Sequence, residues 1–236
     1  MKERTITALL MAVVMVPILV VGNEFYQVFS LFCLALSGAA AWEFTGMRSA
    51  IKPMKLWIRW TTILLSMASA ILFYLLLSGL MTALLYLAFV FASMLFFMGV
   101  FVFDPEYVGS DLAYTIIGIL YVSIGFSAIA WFRDQSVWLI VYLLLTSMLT
   151  DTFAYLFGIR FGRHKLAPLV SPKKSVEGAL AGLVLGGVLS ALFASWMNVI
   201  PEPFVVVLLL SFALSIAAQV GDLVASAFKR EANIKD

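Results

Sequence analysis

Three polar segments in the C-terminal half of the chain carry side chains that could do chemistry. The first runs Asp151-Thr-Phe-Ala-Tyr155-Leu-Phe-Gly158 and has an acid inside an otherwise apolar stretch. A carboxylate in such a stretch is costly unless it faces a polar cavity or a partner. Asp151 and Tyr155 are four residues apart and share a helix face, so both are candidates to line one cavity. The alternative is a structural hydrogen bond from Asp151 to a neighbouring helix.

The second segment, residues 171–178, reads Ser-Pro-Lys-Lys-Ser-Val-Glu-Gly and leads directly into an apolar block. Ser175 is placed to cap the N-terminus of the helix that follows, with the acid Glu177 in its first turn. A helix N-terminus attracts anions, and the two adjacent lysines strengthen that attraction. The segment is therefore a candidate phosphate cradle, and the alternative is an ordinary basic loop. The lone His164 stands among basic residues, and we expect it to be solvated rather than a metal ligand.

The third segment lies near the C-terminus and has regularly spaced polar residues. They are Gln219, Asp222, Ser226, Lys229 and Arg230. This spacing puts every one of them on a single helical stripe, which we expect to face something polar. A carboxylate one to two turns from a lysine and an arginine suits a magnesium nucleotide, because it offers oxygen to the cation and positive charge to the phosphates. The alternative is a snorkelling helix end with an internal ion pair.

The composition identifies the solvent around these segments. Of 236 residues, 64% are apolar and 12% are charged, about half the charged share of a typical soluble domain. The apolar residues come in blocks of about 17 to 24, and a helix needs roughly 20 to cross a bilayer. Backbone groups in lipid must be bonded internally, and the blocks lack the period-two alternation of a barrel strand. We therefore predict an all-α fold, a polytopic integral membrane helical bundle.

About eight transmembrane helices are predicted in this chain. They lie at Thr5 to Val21, Phe25 to Trp42, Trp60 to Leu77, Leu80 to Phe103, Leu112 to Phe132, Val137 to Phe157, Gly178 to Val199, and Phe204 to Val224. We predict one transmembrane domain, residues 1–236, in which residues 1–135 are mainly scaffold and residues 136–236 carry the catalytic motifs and a cytoplasmic loop. The only cysteine, Cys33, lies in an apolar block and is expected to be a small buried hydrophobe.

The seventh predicted helix has small residues at four-residue intervals. They are Gly178, Gly182, Gly186, Ser190 and Ala194. Such a ridge allows the backbone of another helix to approach closely.

The basic residues indicate the orientation of the helices. Alternate loops and the two chain ends hold 14 of the 15 lysines and arginines, and Arg133 alone lies on the other side. Cytoplasmic loops retain positive charge, so both termini are predicted to be cytoplasmic in a multi-pass protein. All three polar segments then lie towards the cytoplasmic face.

At these segments the sequence resembles the bacterial phosphatidate cytidylyltransferase family, also called CDP-diglyceride synthase. Residues 151–162 resemble the family's Asp-x-x-Ala-Tyr-x-x-Gly segment with its trailing glycine. Residues 171–178 are similar to its Ser-Pro-Lys-Lys-Ser/Thr-x-Glu-Gly segment. Residues 219–236, Gln-x-Gly-Asp-Leu-x-x-Ser followed by Lys-Arg and Lys-Asp, resemble the opening of the family signature.

The resemblance breaks off at Asp236. Family members continue into a His-Gly-Gly stretch, an Asp-Arg-x-x-Asp type element and a last helix. The resemblance implies that those acids complete the metal site. We therefore expect this chain to be a C-terminally incomplete member, and its activity in this form stays open.

The resemblance implies transfer of the cytidylyl group of CTP to phosphatidate, giving CDP-diacylglycerol and pyrophosphate, with Mg²⁺. A second cation and a homodimer stay open, no nucleic acid is expected to bind, and the implied location is the bacterial inner (cytoplasmic) membrane. We assign Asp222, Lys229 and Arg230 to catalysis. Asp222 and Asp236 are the expected metal ligands. The expected substrate-binding residues are Ser171, Lys173, Lys174, Ser175, Ser226 and Asp151.

Two other classes of protein compete with this interpretation. A CTP-dependent lipid kinase of the dolichol or phytol kinase type would share the nucleotide and the membrane but phosphorylate an alcohol. An ion-coupled transporter would use the intramembrane acids to carry ions, but transporters commonly show repeated halves with broken helices. Here the unusual residues lie in one half and on one face, which favours catalysis.

The predicted topology can be tested with reporter fusions. Fusions at Glu24, Gly79 and Glu202 should report the side opposite the cytoplasm, because the short loops there are poor in basic residues. A fusion in the basic loop around Lys173 serves as the cytoplasmic control. A cytoplasmic signal from any of the first three positions would contradict this topology.

Overall fold

The computed structural model describes residues 26–233, and seven helices in this range are long and apolar enough to cross a membrane. They are α1 (Tyr26–Ile51), α2 (Leu56–Leu77), α3 (Ala83–Phe103), α4 (Gly109–Gln135), α5 (Val137–Phe161), α6 (Val176–Trp196) and α7 (Phe204–Glu231). These match the second to eighth predicted spans in order, so the predicted all-α polytopic membrane fold is confirmed. The first predicted span and both chain ends lie outside the described residues.

Two helices run well past their predicted C-terminal ends. The prediction ended α1 at Trp42 and α7 at Val224, but they continue to Ile51 and Glu231. Hydropathy marks where an apolar stretch ends, whereas a helix continues as long as its backbone hydrogen bonds do. Both extensions carry basic residues in their last turn, which the negative end of the helix dipole favours.

A short β-hairpin precedes α6 where the sequence indicated only a loop. Its strands are β1 (Lys165–Ala167) and β2 (Ser171–Ser175), and they pair antiparallel with Lys165 opposite Ser175. The register shifts by a bulge between Lys165 and Ala167. The backbone N–H of Val176 donates to the carbonyl of His164 at 2.9 Å, which continues the pairing into the first turn of α6.

Two compact units divide the chain after Val137. In the first unit α1, α2 and α4 pack against one another, and α3 packs against α2 and α4. Its core includes Phe97 and Ile119, and a second cluster contains Cys33, which is 3% exposed. The prediction that Cys33 is a buried hydrophobe is confirmed. The roles predicted for residues 1–135 and 136–236 remain predictions.

Ion pairs lie at one end of the first unit, among them one between helices α1 and α4 and one between two loops. The Nε of Arg48 donates to the Oδ1 of Asp111 at 2.6 Å, and both side chains are buried. Lys55 pairs with Asp104 at 2.8 Å, which joins the α1–α2 loop to the α3–α4 loop. The hydrogen bond from Lys55 lowers the pKa of Asp104, and the same bond raises the pKa of Lys55.

In the second unit a glycine ridge brings α6 against α5, as the sequence predicted. A Cβ atom built on Gly178 would lie 2.5 Å from the carbonyl oxygen of Ala154, and one on Gly182 would lie 2.6 Å from that of Thr150. Gly182 and Gly186 bound a π-helical turn, Gly182–Gly186, within α6. The missing side chains therefore permit backbone contact between the two helices.

Hydroxyl pairs connect α5 to α7. The hydroxyls of Tyr142 and Ser211 lie 2.7 Å apart, and Thr150 donates to Ser215 at 2.8 Å. These four side chains are almost fully buried. Hydroxyl pairs between helices in lipid each contribute about 0.6 to 2 kcal/mol, so they help to fix the register of α7 on α5.

We expect Gly186→Ala to destabilise the second unit by about 1 to 3 kcal/mol, because overpacking forces neighbouring atoms apart. A Cβ at this position would lie 2.8 Å from the backbone N, Cα and Oγ1 of Thr150. The measurement is the thermal unfolding midpoint in detergent.

Gly221→Ala in α7 is the matched control, because a Cβ there meets nothing within 4 Å. Both changes give the same gain in helix propensity, so the difference between them isolates packing. Equal midpoints for the two variants would contradict close packing at Gly186.

Candidate functional site

An ion pair between Lys174 and Asp222 is the centre of the candidate site. The ammonium Nζ of Lys174, on β2, contacts the carboxylate Oδ2 of Asp222, on α7. The Lys174 side chain is 28% exposed and that of Asp222 is 53% exposed, so solvent reaches the pair. The pair brings together the second and third polar segments of the sequence.

Asp151, in the first polar segment, lies within electrostatic range of this pair. It lies on α5, and the charged groups whose fields act on it are Lys174 and Asp222. Asp151 lies ten residues before the C-terminal end of α5, and Asp222 lies nine residues before that of α7. Each acid is therefore about 14 to 15 Å from the end of its helix. The Tyr155 side chain, predicted to share a cavity with Asp151, is 68% exposed.

The capped start of α6 holds the backbone beside Lys174 in place. The backbone N–H of Gly178 donates to the Oγ of Ser175 at 3.2 Å, which confirms the predicted N-cap. Ser175 is buried beside Gly158 and Gly162, and a Cβ atom at Gly162 would lie 2.6 Å from its Oγ. The serine hydroxyl therefore has a structural task, and its predicted contact with substrate remains a prediction.

Glu177 has a role that the sequence did not reveal. Its carboxylate accepts hydrogen bonds from the backbone N–H groups of Arg163 and His164 at 3.1 and 3.2 Å. The Nδ1 of His164 lies 2.6 Å from the same carboxylate, and the His164 side chain is 79% exposed. Glu177 thus fixes the start of the hairpin, while the sequence indicated only a charge in the first turn of α6.

The polar stripe of α7 faces α6 and the hairpin, which confirms that it points at polar groups. The Nε2 of Gln219 donates to the carbonyl of Ala179 at 3.2 Å, and the Nε of Arg230 donates to that of Val170 at 3.3 Å. Asp222 lies between them on Lys174. Asp222 therefore pairs with a lysine from outside its own helix.

The remaining predicted site residues lie on β2, on α7 or outside the described residues. Lys173 is exposed on β2, Ser171 is partly buried at the start of β2, and Ser226 and Lys229 are partly buried on α7. Asp236, the second predicted metal ligand, lies outside the described residues. For the four described side chains, nothing in the geometry assigns a ligand.

The acids of the site can be compared with the needs of a divalent cation. Residues 26–233 contain no group of three His, Cys, Asp or Glu side chains placed to hold a metal ion. Asp151 and Asp222 nevertheless supply carboxylate oxygens, which Mg²⁺ prefers. The two carboxylates are part of the ligand set that a divalent cation needs.

The site combines features that suit a phosphorylated ligand. The Lys174–Asp222 pair lies at its centre, within electrostatic range of Asp151, while Lys173 and Arg230 lie on the hairpin side. Arginine and lysine give charge-assisted hydrogen bonds to phosphate oxygens. The fold and site define a multi-pass helical membrane protein with a solvent-accessible, mixed-charge site near one end of its last helices.

The sequence matches the Cytidylyltransferase family over residues 2–236, and the chain belongs to this family. A phosphatidate cytidylyltransferase of Staphylococcus haemolyticus is 37% identical over 126 residues, which are 53% of this chain and 48% of that protein. Phosphatidate cytidylyltransferases of Staphylococcus saprophyticus and of Staphylococcus aureus strain COL are each 36% identical over the same shares. The chain thus matches about half the length of these relatives. The family resemblance drawn from the three polar segments is confirmed.

Proposed function

We propose that the protein transfers the cytidylyl group of CTP to phosphatidate, giving CDP-diacylglycerol and pyrophosphate. The observation that carries this proposal is the Lys174–Asp222 ion pair, which joins the second and third polar segments within electrostatic range of Asp151 in the first. The relatives named above carry this activity in their names, which supports the same assignment here.

The reaction needs alignment and charge neutralisation more than a protein nucleophile. A phosphate oxygen of phosphatidate attacks the α-phosphorus of CTP and forms the new P–O–P bond. The bond from the α-phosphorus to the bridging oxygen of the β-phosphate breaks, and pyrophosphate leaves with that electron pair. Holding the two substrates in line supplies much of the rate enhancement, so no serine or cysteine is required.

The basic residues of the site bind and orient the phosphates in this proposal. Lys173 is exposed on β2, and Arg230 is tied to the hairpin through the Val170 carbonyl, so both can reach an anion there. Lys229 follows on the same stripe of α7. Ser171 and Ser226 are candidates to donate hydrogen bonds to phosphate oxygens. Charge-assisted contacts of this kind are each worth about 1.5 to 3 kcal/mol.

Asp222 and Asp151 would hold Mg²⁺, the divalent cation proposed for this family. When bound, the ion neutralises triphosphate charge and polarises the phosphorus under attack. Asp236 remains the proposed further ligand. The proposed location is the bacterial inner membrane with the site on the cytoplasmic side, where CTP is available.

A label in the cytosine base of CTP tests the reaction directly. We expect the label to appear in the lipid product, because the whole cytidylyl group is transferred. A CTP-dependent lipid kinase would instead transfer only the γ-phosphate. Full-length protein in phosphatidate-containing vesicles should therefore yield base-labelled lipid, and lipid labelled only from the γ-phosphate would contradict the assignment.

We expect Asp222→Asn to leave folding nearly intact and to remove most activity. The two side chains have nearly the same shape, and an exposed ion pair is worth only about 0 to 1 kcal/mol. Loss of the formal charge weakens an oxygen ligand of a hard cation, so turnover should fall by about two orders of magnitude or more. The measurements are the thermal unfolding midpoint and base-labelled lipid formed across a magnesium titration.

Asp104→Asn is the matched control, because Asp104 also pairs with a partly exposed lysine but lies in the first unit. It should keep near-normal turnover. Normal turnover and magnesium dependence in Asp222→Asn would remove Asp222 from the metal site.

A further inference from the structure

Lys174 contacts the Asp222 carboxylate, which is the group proposed above as a ligand of the divalent cation. The ammonium contacts Oδ2 of Asp222, while Asp151 lies within the field of both groups. Two carboxylates within electrostatic range repel each other, so a positive charge near both is favourable. In this structure Lys174 supplies that charge.

We propose that Lys174 is an exchangeable counterion, which holds the Asp222 carboxylate until a nucleoside triphosphate and its divalent cation bind and then moves to the triphosphate. The proposal rests on the proposed function of the site and adds to it an order of events. The cation and the triphosphate then bind cooperatively, because the triphosphate draws away the group that competes with the cation.

The exposure of the pair makes the exchange feasible. Over half of the Asp222 side chain and over a quarter of the Lys174 side chain are exposed. Water screens such a pair, and exposed pairs contribute little to stability. A divalent cation at Asp222 and a triphosphate near Lys174 offer each group a more highly charged partner than it has now.

The local fold allows the side chain of Lys174 to move while its backbone stays fixed. Its neighbour Ser175 pairs with Lys165 across the hairpin and caps α6, so the backbone directly after Lys174 is held in place. The lysine side chain has four rotatable methylene groups and can redirect its ammonium by several ångströms without moving the strand. Successive strand residues point to opposite faces, which separates Lys174 from the exposed Lys173.

The exchange predicts effects of opposite sign from a single substitution. Without nucleotide, Lys174→Met should bind Mn²⁺ about three- to fivefold more tightly, because the competing ammonium is gone. The same variant should bind the nucleotide about tenfold or more weakly in the presence of Mn²⁺, because a charge-assisted phosphate contact is lost. Because the coupling between two ligands is reciprocal, the nucleotide should also raise the Mn²⁺ affinity of Lys174→Met by less than it raises that of the original protein. A lysine that never leaves Asp222 would also give the tighter Mn²⁺ complex when removed, but its removal would not weaken nucleotide binding, so the two effects are needed together.

The test measures free Mn²⁺ by electron paramagnetic resonance with full-length protein in lipid nanodiscs. Titrations are run with and without the α,β-methylene analogue of CTP, which cannot react. Lys173→Met is the matched control: it removes the same charge one residue away, and its Mn²⁺ affinity without nucleotide should stay within about twofold of the original. Lys174→Arg should restore the original pattern in large part, and the double variant Lys174→Met with Asp222→Asn should lose the gain in Mn²⁺ affinity.

Unchanged or weaker Mn²⁺ binding by Lys174→Met without nucleotide would overturn the exchange, as would the absence of Mn²⁺ binding at millimolar concentration in both proteins. Lys174→Gln provides a second neutral variant if the methionine variant does not fold. The reaction assignment fails separately: opposite-sign binding effects without base-labelled lipid would retain the exchange and reject cytidylyl transfer. Base-labelled lipid together with unchanged Mn²⁺ binding in Lys174→Met would retain cytidylyl transfer and reject the exchange.

Discussion

The close approach of α6 to α5 fixes the position of everything in the candidate site. Glycines at positions 178, 182 and 186 let the α6 backbone meet Ala154 and Thr150 of α5 directly, and a side chain at any of them would push the helices apart. This contact determines where α6 begins, and the Ser175 cap ties β2 to that point. Lys174 therefore reaches Asp222 because of contacts made by residues that have no side chain.

The hydroxyl pairs complete the same arrangement from the other side. Thr150 immediately precedes Asp151, and its partner Ser215 lies seven residues, about two turns, before Asp222. Residues seven apart share a helix face, so the Thr150–Ser215 pair directs Asp222 towards the same helices as Ser215. Burying an unpaired hydroxyl among apolar groups costs free energy, so the register of α7 on α5 that pairs these hydroxyls is more stable than registers that leave them unpaired.

Sequence patterns predicted those features that depend on local chemistry. The helices in the described residues, the glycine ridge, the Ser175 cap and the polar stripe of α7 follow from periodicity and capping rules. These rules did not predict that Lys174, rather than Lys173, would be the partner of Asp222. This pairing depends on the register of a hairpin only three and five residues long per strand, too short to give an alternating pattern. The link from Glu177 to the hairpin is likewise a long-range consequence of that register.

Burial separates two kinds of ion pair in this protein. Arg48 and Asp111 are 7% and 3% exposed, and removing one partner from such a pair leaves an uncompensated buried charge at a cost of about 3 to 5 kcal/mol. Lys174 and Asp222 have similar chemistry but remain open to water, so separating them costs about 0 to 1 kcal/mol. A ligand of ordinary affinity can therefore separate the second pair but not the first. The first pair serves the fold, and the second is available to whatever charged ligand enters the site.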